Sequence, residues 1–564
     1  MSVKPWALAV VLLAAVVAVG SDAQFKIARV EAMPNLPRPF NLRDWKEVSR
    51  GYTSLVFNPE ASGEFLPLVW RDARGVNFGL EHWALAAYVG DRRHGNDGAQ
   101  EAINVIAAVR SATLVGLDMS DWRGMDLVTM QKEFFNRANG QNLVLNHPDT
   151  TTGNSFWYEI FPSILFFILV DQYPQLAQAK RDPEDMSMRE IMRTVAERWY
   201  DATYALGGKT GLPEFAWRGF DFARMRPVSG NWEEPDAAAG VAWLAYMAYT
   251  VFGDPNFLSA AEWSLAYLED LASFDYNPLY EILLPYGAYT AARMNAELGR
   301  DYDVETFVRW CFGPAHARAG WEMIVGEWGG LRVDGLMGSL TDLGGYAFAM
   351  NTFATAEALV PIVRYDPRFA RAIGKWMLHA ANNARLFYSP YHPEDWQSSA
   401  FWKGDPDGVI PYEGLRKAWK GKSPYATGDA MRSGTAKTDF ALYGGSHAGV
   451  FGGIVSRTNV DGILQLDLLA TDYFRGTAYP TFLYYNPYSE EQVVQVEVGT
   501  FPRDLYDAVS QQFLATGVTG TAEFSVPPDG AVVLVLVPAA GTMIRDGHRL
   551  LVEGVVVDWR VLDR

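Results

Sequence analysis

The chain has 564 residues, 49% of them apolar and 20% charged, with 48 basic and 66 acidic residues for a net charge of −18. That length exceeds what one hydrophobic core usually serves, and the composition is globular, which excludes a disordered chain. The acidic balance repels polyphosphates and anionic lipid surfaces, which excludes nucleic acid as a partner.

Residues 1–23 read as an export signal. Lys4 supplies a positive start, residues 6–20 are almost wholly apolar, and Ser21-Asp22-Ala23 offers small residues at a cleavage site. The apolar run is shorter than the roughly 20 residues of a bilayer span, so no stable membrane insertion is expected after cleavage. The mature protein is expected to be secreted or periplasmic. Cys311 is the single cysteine, so the chain has no internal disulfide. Neither His-Glu-x-x-His nor Cys-x-x-Cys occurs, and no metal and no cofactor is expected.

Residues 24–90, with Pro34, Pro37 and Pro39, are expected to wrap the next domain as an irregular segment. Residues 91–435 are helical in pattern, with apolar residues at helical spacing in ten segments between 99 and 384. Segments 157–170, 236–252 and 346–363 are apolar nearly all round, whereas 188–206 and 369–384 carry Arg, Glu and Lys on one face. A helix apolar all round is buried on every side, and a two-faced one lies at the surface. Their alternation predicts a mainly α toroid, an inner ring of helices inside an outer one. From 436 to 564, short β-rich runs begin at 440–443 and 450–456 and are split by turns such as Pro527-Pro528-Asp529-Gly530. They predict an all-β sandwich domain.

A weak repeat marks the starts of the buried helices. Its copies are Gly153-Asn154-Ser155-Phe156-Trp157-Tyr158-Glu159, Gly230-Asn231-Trp232-Glu233-Glu234-Pro235-Asp236, Asn277-Pro278-Leu279-Tyr280-Glu281 and Gly338-Ser339-Leu340-Thr341-Asp342. Each combines a polar turn, usually an aromatic, and a carboxylate. A first-turn carboxylate has a purely structural use, since it caps free N–H groups and stabilises the helix dipole by about 0.3–1 kcal/mol. If the helix N-termini converge on one mouth, however, Glu159, Glu233, Glu234, Asp236, Glu281 and Asp342 crowd together with Trp157, Tyr158, Trp232 and Tyr280. Crowding raises one carboxyl's pKa and leaves a proton donor beside an ionised base, the equipment for cleaving a glycosidic bond.

Pro235, a good first helical residue, puts Glu234 or Asp236 first among the catalytic candidates. Asp342, beside Gly344-Gly345, is the expected partner, followed by Glu159 and Glu281. Trp328, in a Gly- and Trp-rich loop, and Arg218, among Trp217, Phe220 and Phe222, are further binding candidates. Arg218 suits the carboxylate of an acidic sugar; its structural alternative is to tie a loop down. The 19 Trp, 27 Tyr and 31 Phe fit a carbohydrate partner, whose C–H faces stack on aromatic rings, although most of these rings are expected to fill the core.

The helix alternation over residues 81–386 and the trailing β-domain resemble the six-hairpin glycosidases, whose (α/α)6 toroid binds sugars at the mouth lined by inner-helix N-termini. The resemblance implies an (α/α)6-barrel type toroid followed by a β-sandwich, a poly- or oligosaccharide substrate, and hydrolysis by paired Asp/Glu acid–base catalysis. It is architectural, fixes no individual family, and carries over no catalytic residue. Two alternatives use the same fold. One is a polysaccharide lyase that cleaves a uronate-containing glycan by β-elimination, with Tyr388, Tyr391 and His392 as candidates. The other is a non-catalytic glycan-binding protein.

Overall fold

Five long helices, Ala102–Leu114, Phe156–Gln172, Ala237–Phe252, Leu283–Leu298 and Ala349–Tyr365, are buried along most of their length, because their apolar residues run all round the axis. These elements come from a computed structural model that describes residues 24–92 and 101–561. The expected export signal lies outside the described residues. Two short helices, Leu442–Gly445 and Gly449–Ile454, take the next place, and each helix packs on its neighbour until the last returns to the first. Small residues set the spacing of this ring. A Cβ on Gly240 would lie 2.6 Å from Ile160, and one on Gly287 would lie 2.6 Å from Ala239.

Around the ring stand the helices Trp45–Val56, Met188–Thr203, Pro255–Ser273, Val304–Phe312 and Ala370–Asn383, with the short 3-10 helix Thr129–Phe134 filling the remaining outer place. The hairpins are punctuated as their sequence dictates. A Ser187–Glu190 capping box opens one outer helix, Gly253 ends an inner helix at φ +68°, and Asp254-Pro255 starts the next. The result is a mainly α toroid of the (α/α)6 type.

Two segments differ from the sequence reading. Residues 24–90 contain the ordered outer helix Trp45–Val56, which buries Trp45, Val48, Tyr52 and Val56. Residues 440–443 and 450–456, expected as strands, are largely helical and close the ring, so the β-domain begins at Val455 and not at 436. Short apolar runs do not distinguish a strand from a buried helix by periodicity. Here Gly449 decides, because a Cβ there would lie 2.4 Å from the Ser111 carbonyl oxygen of the first inner helix.

The β-domain is an antiparallel sandwich. Its main sheet orders Val455–Arg457, Leu464–Asp467, Thr481–Tyr485, Ala531–Pro538, Gln492–Asp507 and Gln512–Val526, and a smaller sheet holds Met543–Asp546, Arg549–Val552 and Val555–Asp558. Strand Ala531–Pro538 is buried on both faces. Val533, Val535 and Val537 join the core shared with the toroid, while Val532, Leu534 and Leu536 meet Tyr484, Val494 and Phe524 in a second core.

A loop of this domain closes the far end of the toroid. Asp472 accepts hydrogen bonds from Tyr289 at 2.6 Å, Arg364 at 2.7 Å and Tyr365 at 2.9 Å. The hydroxyl of the next residue, Tyr473, donates to buried Glu357 at 2.9 Å. Glu357 also takes the Tyr286 hydroxyl at 2.8 Å and pairs with Arg110, which is fully buried. No helix among the described residues is long and apolar enough to cross a membrane.

Candidate active site

At the opposite end, the inner-helix N-termini surround adjoining cavities. One of about 330 Å³ is lined by Tyr88, Trp157, Tyr158, Tyr280, Glu281, Asn351, Glu413 and Tyr443, among others. Another of about 300 Å³ is lined by Tyr158, Arg218, Trp232, Glu234, Tyr280 and Arg318, with Asn154 and Ser155. Ser155, Tyr158 and Tyr280 belong to both, so the two form a continuous mouth. A third space, of about 250 Å³, adjoins it at Ser155 and Tyr158 and is bounded by His147, Thr150 and Glu159.

The repeat carboxylates take different places in this mouth. Glu234 is buried and accepts from the Ser155 hydroxyl, the Trp157 amide and the Trp232 indole N–H, each near 2.8 Å. It therefore caps helix Phe156–Gln172 from outside, where the N-cap residue Ser155 makes no cap bond of its own. Glu159 is buried too, and its oxygens take the amides of Gly153 at 2.6 Å, Asn154 at 3.2 Å and Phe220 at 2.9 Å. Asp236 is fully buried, lines neither of the two main cavities, and receives the Tyr280 amide at 3.2 Å.

Glu281 differs from all of these. It lines the 330 Å³ cavity and accepts no hydrogen bond of normal geometry among the described residues, although the Tyr280 hydroxyl and the Asn351 amide lie beside it. Its backbone is held at φ +55°, a left-handed conformation that costs a glutamate of order 1–3 kcal/mol and persists only where the surroundings impose it. Burial pushes its carboxyl up to about 7, helped by the charge of Glu234 and opposed by Arg318. Burial pushes Glu159 up to about 8 against its backbone donors, raises Glu234, and raises Asp236 well above the usual carboxylate range.

Asp342 does not join the mouth. Leu343 beside it adopts φ +45°, and the Asp342 carboxylate turns to Arg416, 3.8 Å away. Trp328 is not at the cavities either; it is 4% exposed and packs in the core beside Gly345. Trp157, Tyr158, Trp232, Tyr280 and Arg218 all line the mouth. The lyase candidates lie elsewhere. Tyr388 is buried under Arg43, whose guanidinium sits 4.3 Å from its ring, and His392 Nε2 is bonded to the Leu386 carbonyl.

The sequence reading missed Glu413, which shares the cavity of Glu281. One of its oxygens takes the hydroxyls of Tyr88 at 2.8 Å and Tyr443 at 2.6 Å. The other takes the Tyr346 hydroxyl at 3.1 Å and the Asp429 amide at 2.5 Å. Burial raises its pKa, and these donors favour its charged form. Glu413 sits in a short extended segment with no helix start to mark it, and its tyrosine partners come from remote segments. Arg318 was missed for the same reason.

Two donors in the 330 Å³ cavity wall, Trp157 Nε1 and Asn351 Nδ2, are buried and make no hydrogen bond of normal geometry among the described residues, with Asn351 lying beside Glu281. Buried donors are normally matched, so this wall is built to receive acceptor atoms. Among the described residues, no group of three or more His, Cys, Asp or Glu side chains is arranged to hold a metal ion.

No family model matches the chain, and no curated protein matches it. Among solved structures it is similar to a GH127 β-L-arabinofuranosidase from Geobacillus stearothermophilus T6, at 11% identity and a TM-score of 0.35, over 92% of this chain and 85% of that one. It is also similar to another GH127 β-arabinofuranosidase, at 10% identity and a TM-score of 0.33, over 96% of this chain and 84% of that one.

Proposed function

We propose that the chain is an exported glycoside hydrolase that cleaves a poly- or oligosaccharide at the toroid mouth. The observation that carries this reading is Glu281: a carboxyl pushed up to about 7, held by no backbone amide among the described residues and flanked by the Tyr280 hydroxyl and the Asn351 amide, in a cavity lined by Trp157, Tyr158 and Tyr280. A carboxyl in that state is protonated near neutral pH and serves as general acid to the leaving glycosidic oxygen. Glu413, which lines the same cavity and whose charged form its hydrogen-bond donors favour against burial, is the candidate second carboxylate of the pair. Glu234 and Asp236 are positioning residues, which hold Trp232 and Tyr280 at the cavity walls. Trp157 Nε1 and Asn351 Nδ2 donate to sugar hydroxyls, and the half-exposed ring of Tyr158 stacks on a sugar face.

The lyase reading finds tyrosines in the right cavity, Tyr88 and Tyr443, though not those expected. Burial and the Glu413 carboxylate push both phenols well above their usual range, which disfavours them as bases. Incubation of the purified protein with neutral and uronate-containing polysaccharides tests the two readings. New reducing ends without the ultraviolet absorbance of an unsaturated uronate support hydrolysis. Both signals together overturn it in favour of elimination, and binding with neither signal leaves a glycan-binding protein.

A further inference from the structure

The 300 Å³ cavity holds two guanidinium groups in a chain whose net charge is −18. Arg318 lies over the Tyr280 ring, 4.2 Å from its centre, and its Nη1 is buried without a hydrogen-bond partner among the described residues. Arg218 lies over the Trp232 ring at 4.3 Å, its Nε fixed on the Asn154 carbonyl. Neither forms an ion pair among the described residues, whereas Arg224 pairs with Asp221 at 2.9 Å and Arg416 with Asp429 at 2.8 Å. The carboxylate that shares their cavity, Glu234, already has its oxygens occupied by Ser155, Trp157 and Trp232.

Stacking on a ring holds a guanidinium plane while leaving its N–H edge free to donate. Two such edges, beside Glu234 whose oxygens are occupied and with Glu281 near Arg318, match the planar, bidentate geometry of a further carboxylate better than a neutral hydroxyl. We propose that this cavity is a subsite for the carboxylate of a uronic acid residue, held by Arg318 and assisted by Arg218, next to the cleavage site at Glu281. The inference rests on the glycan reading above and gives it a substrate class.

The test is titration of the full-length protein with D-glucuronate, D-galacturonate, D-glucose, D-galactose and a sulfated galactose, followed by calorimetry or ligand-observed NMR. Uronates are expected to bind at least about tenfold more tightly than their neutral counterparts, with an advantage that shrinks as salt rises. Arg318→Gln is expected to remove that advantage, and Arg318→Lys, which keeps the charge but not the fork, to restore only part of it. Arg224→Gln, whose side chain is paired to Asp221 outside the cavity, is expected to change nothing. Thermal melting of each variant separates lost binding from lost folding.

Equal affinity for neutral sugars, tighter binding of the sulfated sugar, or uronate binding unchanged in Arg318→Gln would each overturn the proposal. The two readings fail separately. Arginine-dependent uronate binding with no new reducing ends from any glycan refutes the hydrolase and leaves the subsite. Release of reducing ends from neutral glycans, unaffected by Arg318→Gln, refutes the subsite and leaves the hydrolase.

Discussion

The backbone N–H of Tyr280 donates to Oδ2 of Asp236 at 3.2 Å, so the turn that precedes one inner helix hangs on the residue that begins the helix before it. Glu234 does the same for Trp157, and Glu159 for Phe220. The repeat carboxylates are thus staples between successive segments of the mouth. Of the repeat carboxylates at the mouth, Glu281 holds no such amide among the described residues and instead faces the cavity beside Tyr280 and Asn351.

Replacement of Glu281 by glutamine is expected to lower kcat/KM by about 10²–10⁴-fold, the usual contribution of a general acid. In the unsubstituted protein, activity is expected to fall as pH rises through about 7, because the proton to be donated is lost. The variant's residual activity is expected to lack that alkaline limb. Steady-state rates on a cleaved glycan between pH 4 and 9 check both.

Glu234→Gln acts through others and separates from this pattern. Loss of the charged acceptor loosens the Trp232 indole and the Trp157 amide, each a charge-assisted bond of ~1.5–3 kcal/mol. The expected result is a raised KM with a smaller change in kcat, and a quench or shift of Trp232 fluorescence that Glu281→Gln does not produce.

Stability should also report on Glu281. Its carboxyl is raised from 4.5 to about 7 in the folded chain, so between these values the native state binds a proton that the unfolded state has released. Stability from this group is therefore fully present below about 4.5 and is lost as pH rises through 7. Glu281→Gln removes the buried charge, so its gain in Tm over the parent is expected to grow from near zero at pH 5 to a maximum at pH 8.

Glu357 anchors Arg110, Tyr286 and Tyr473 in the toroid interior, where it is 1% exposed. Removal of one partner from a buried ion pair leaves the other charge uncompensated, at a cost of about 3–5 kcal/mol. Glu357→Ala is expected to shift the urea midpoint accordingly, with a smaller loss in Glu357→Gln.

The close approach of the inner helices predicts a fifth effect. Gly287→Val places atoms within 2.6–3.0 Å of Ala239 and of Leu268 and is expected to destabilise by about 1–3 kcal/mol, as overpacking does. Calorimetric unfolding checks it.

The toroid was legible because burial on every side leaves a mark in each helix by itself, and the capping signals at Ser187, Gly253 and Asp254 delimit the hairpins. The closing pair Leu442–Gly445 and Gly449–Ile454 was not legible, since its helicity is fixed by backbone packed against Gly449 from a helix more than 300 residues earlier. The mouth was legible as a place. The repeat located Glu281, Trp157 and Tyr280, but it could not tell a stapling carboxylate from one that holds no amide, because that depends on which amides come near. Asp342 shares the repeat's spacing and turns away at Leu343. Glu413 carries no pattern at all, and its surroundings exist only once Tyr88, Tyr346 and Tyr443 meet.

The loop of Asp472, Tyr473 and Phe474 gives the toroid a floor. Arg293 donates to the backbone carbonyls of Tyr473 at 2.7 Å and Phe474 at 2.8 Å, and the Phe474 ring packs against Trp243. The ring of helices is consequently a cup and not a tunnel. A chain entering at Tyr158 has no exit below, so whatever binds there arrives and departs through the same opening. On the glycan reading, a polymer lies across or dips into the mouth and is not threaded through the toroid.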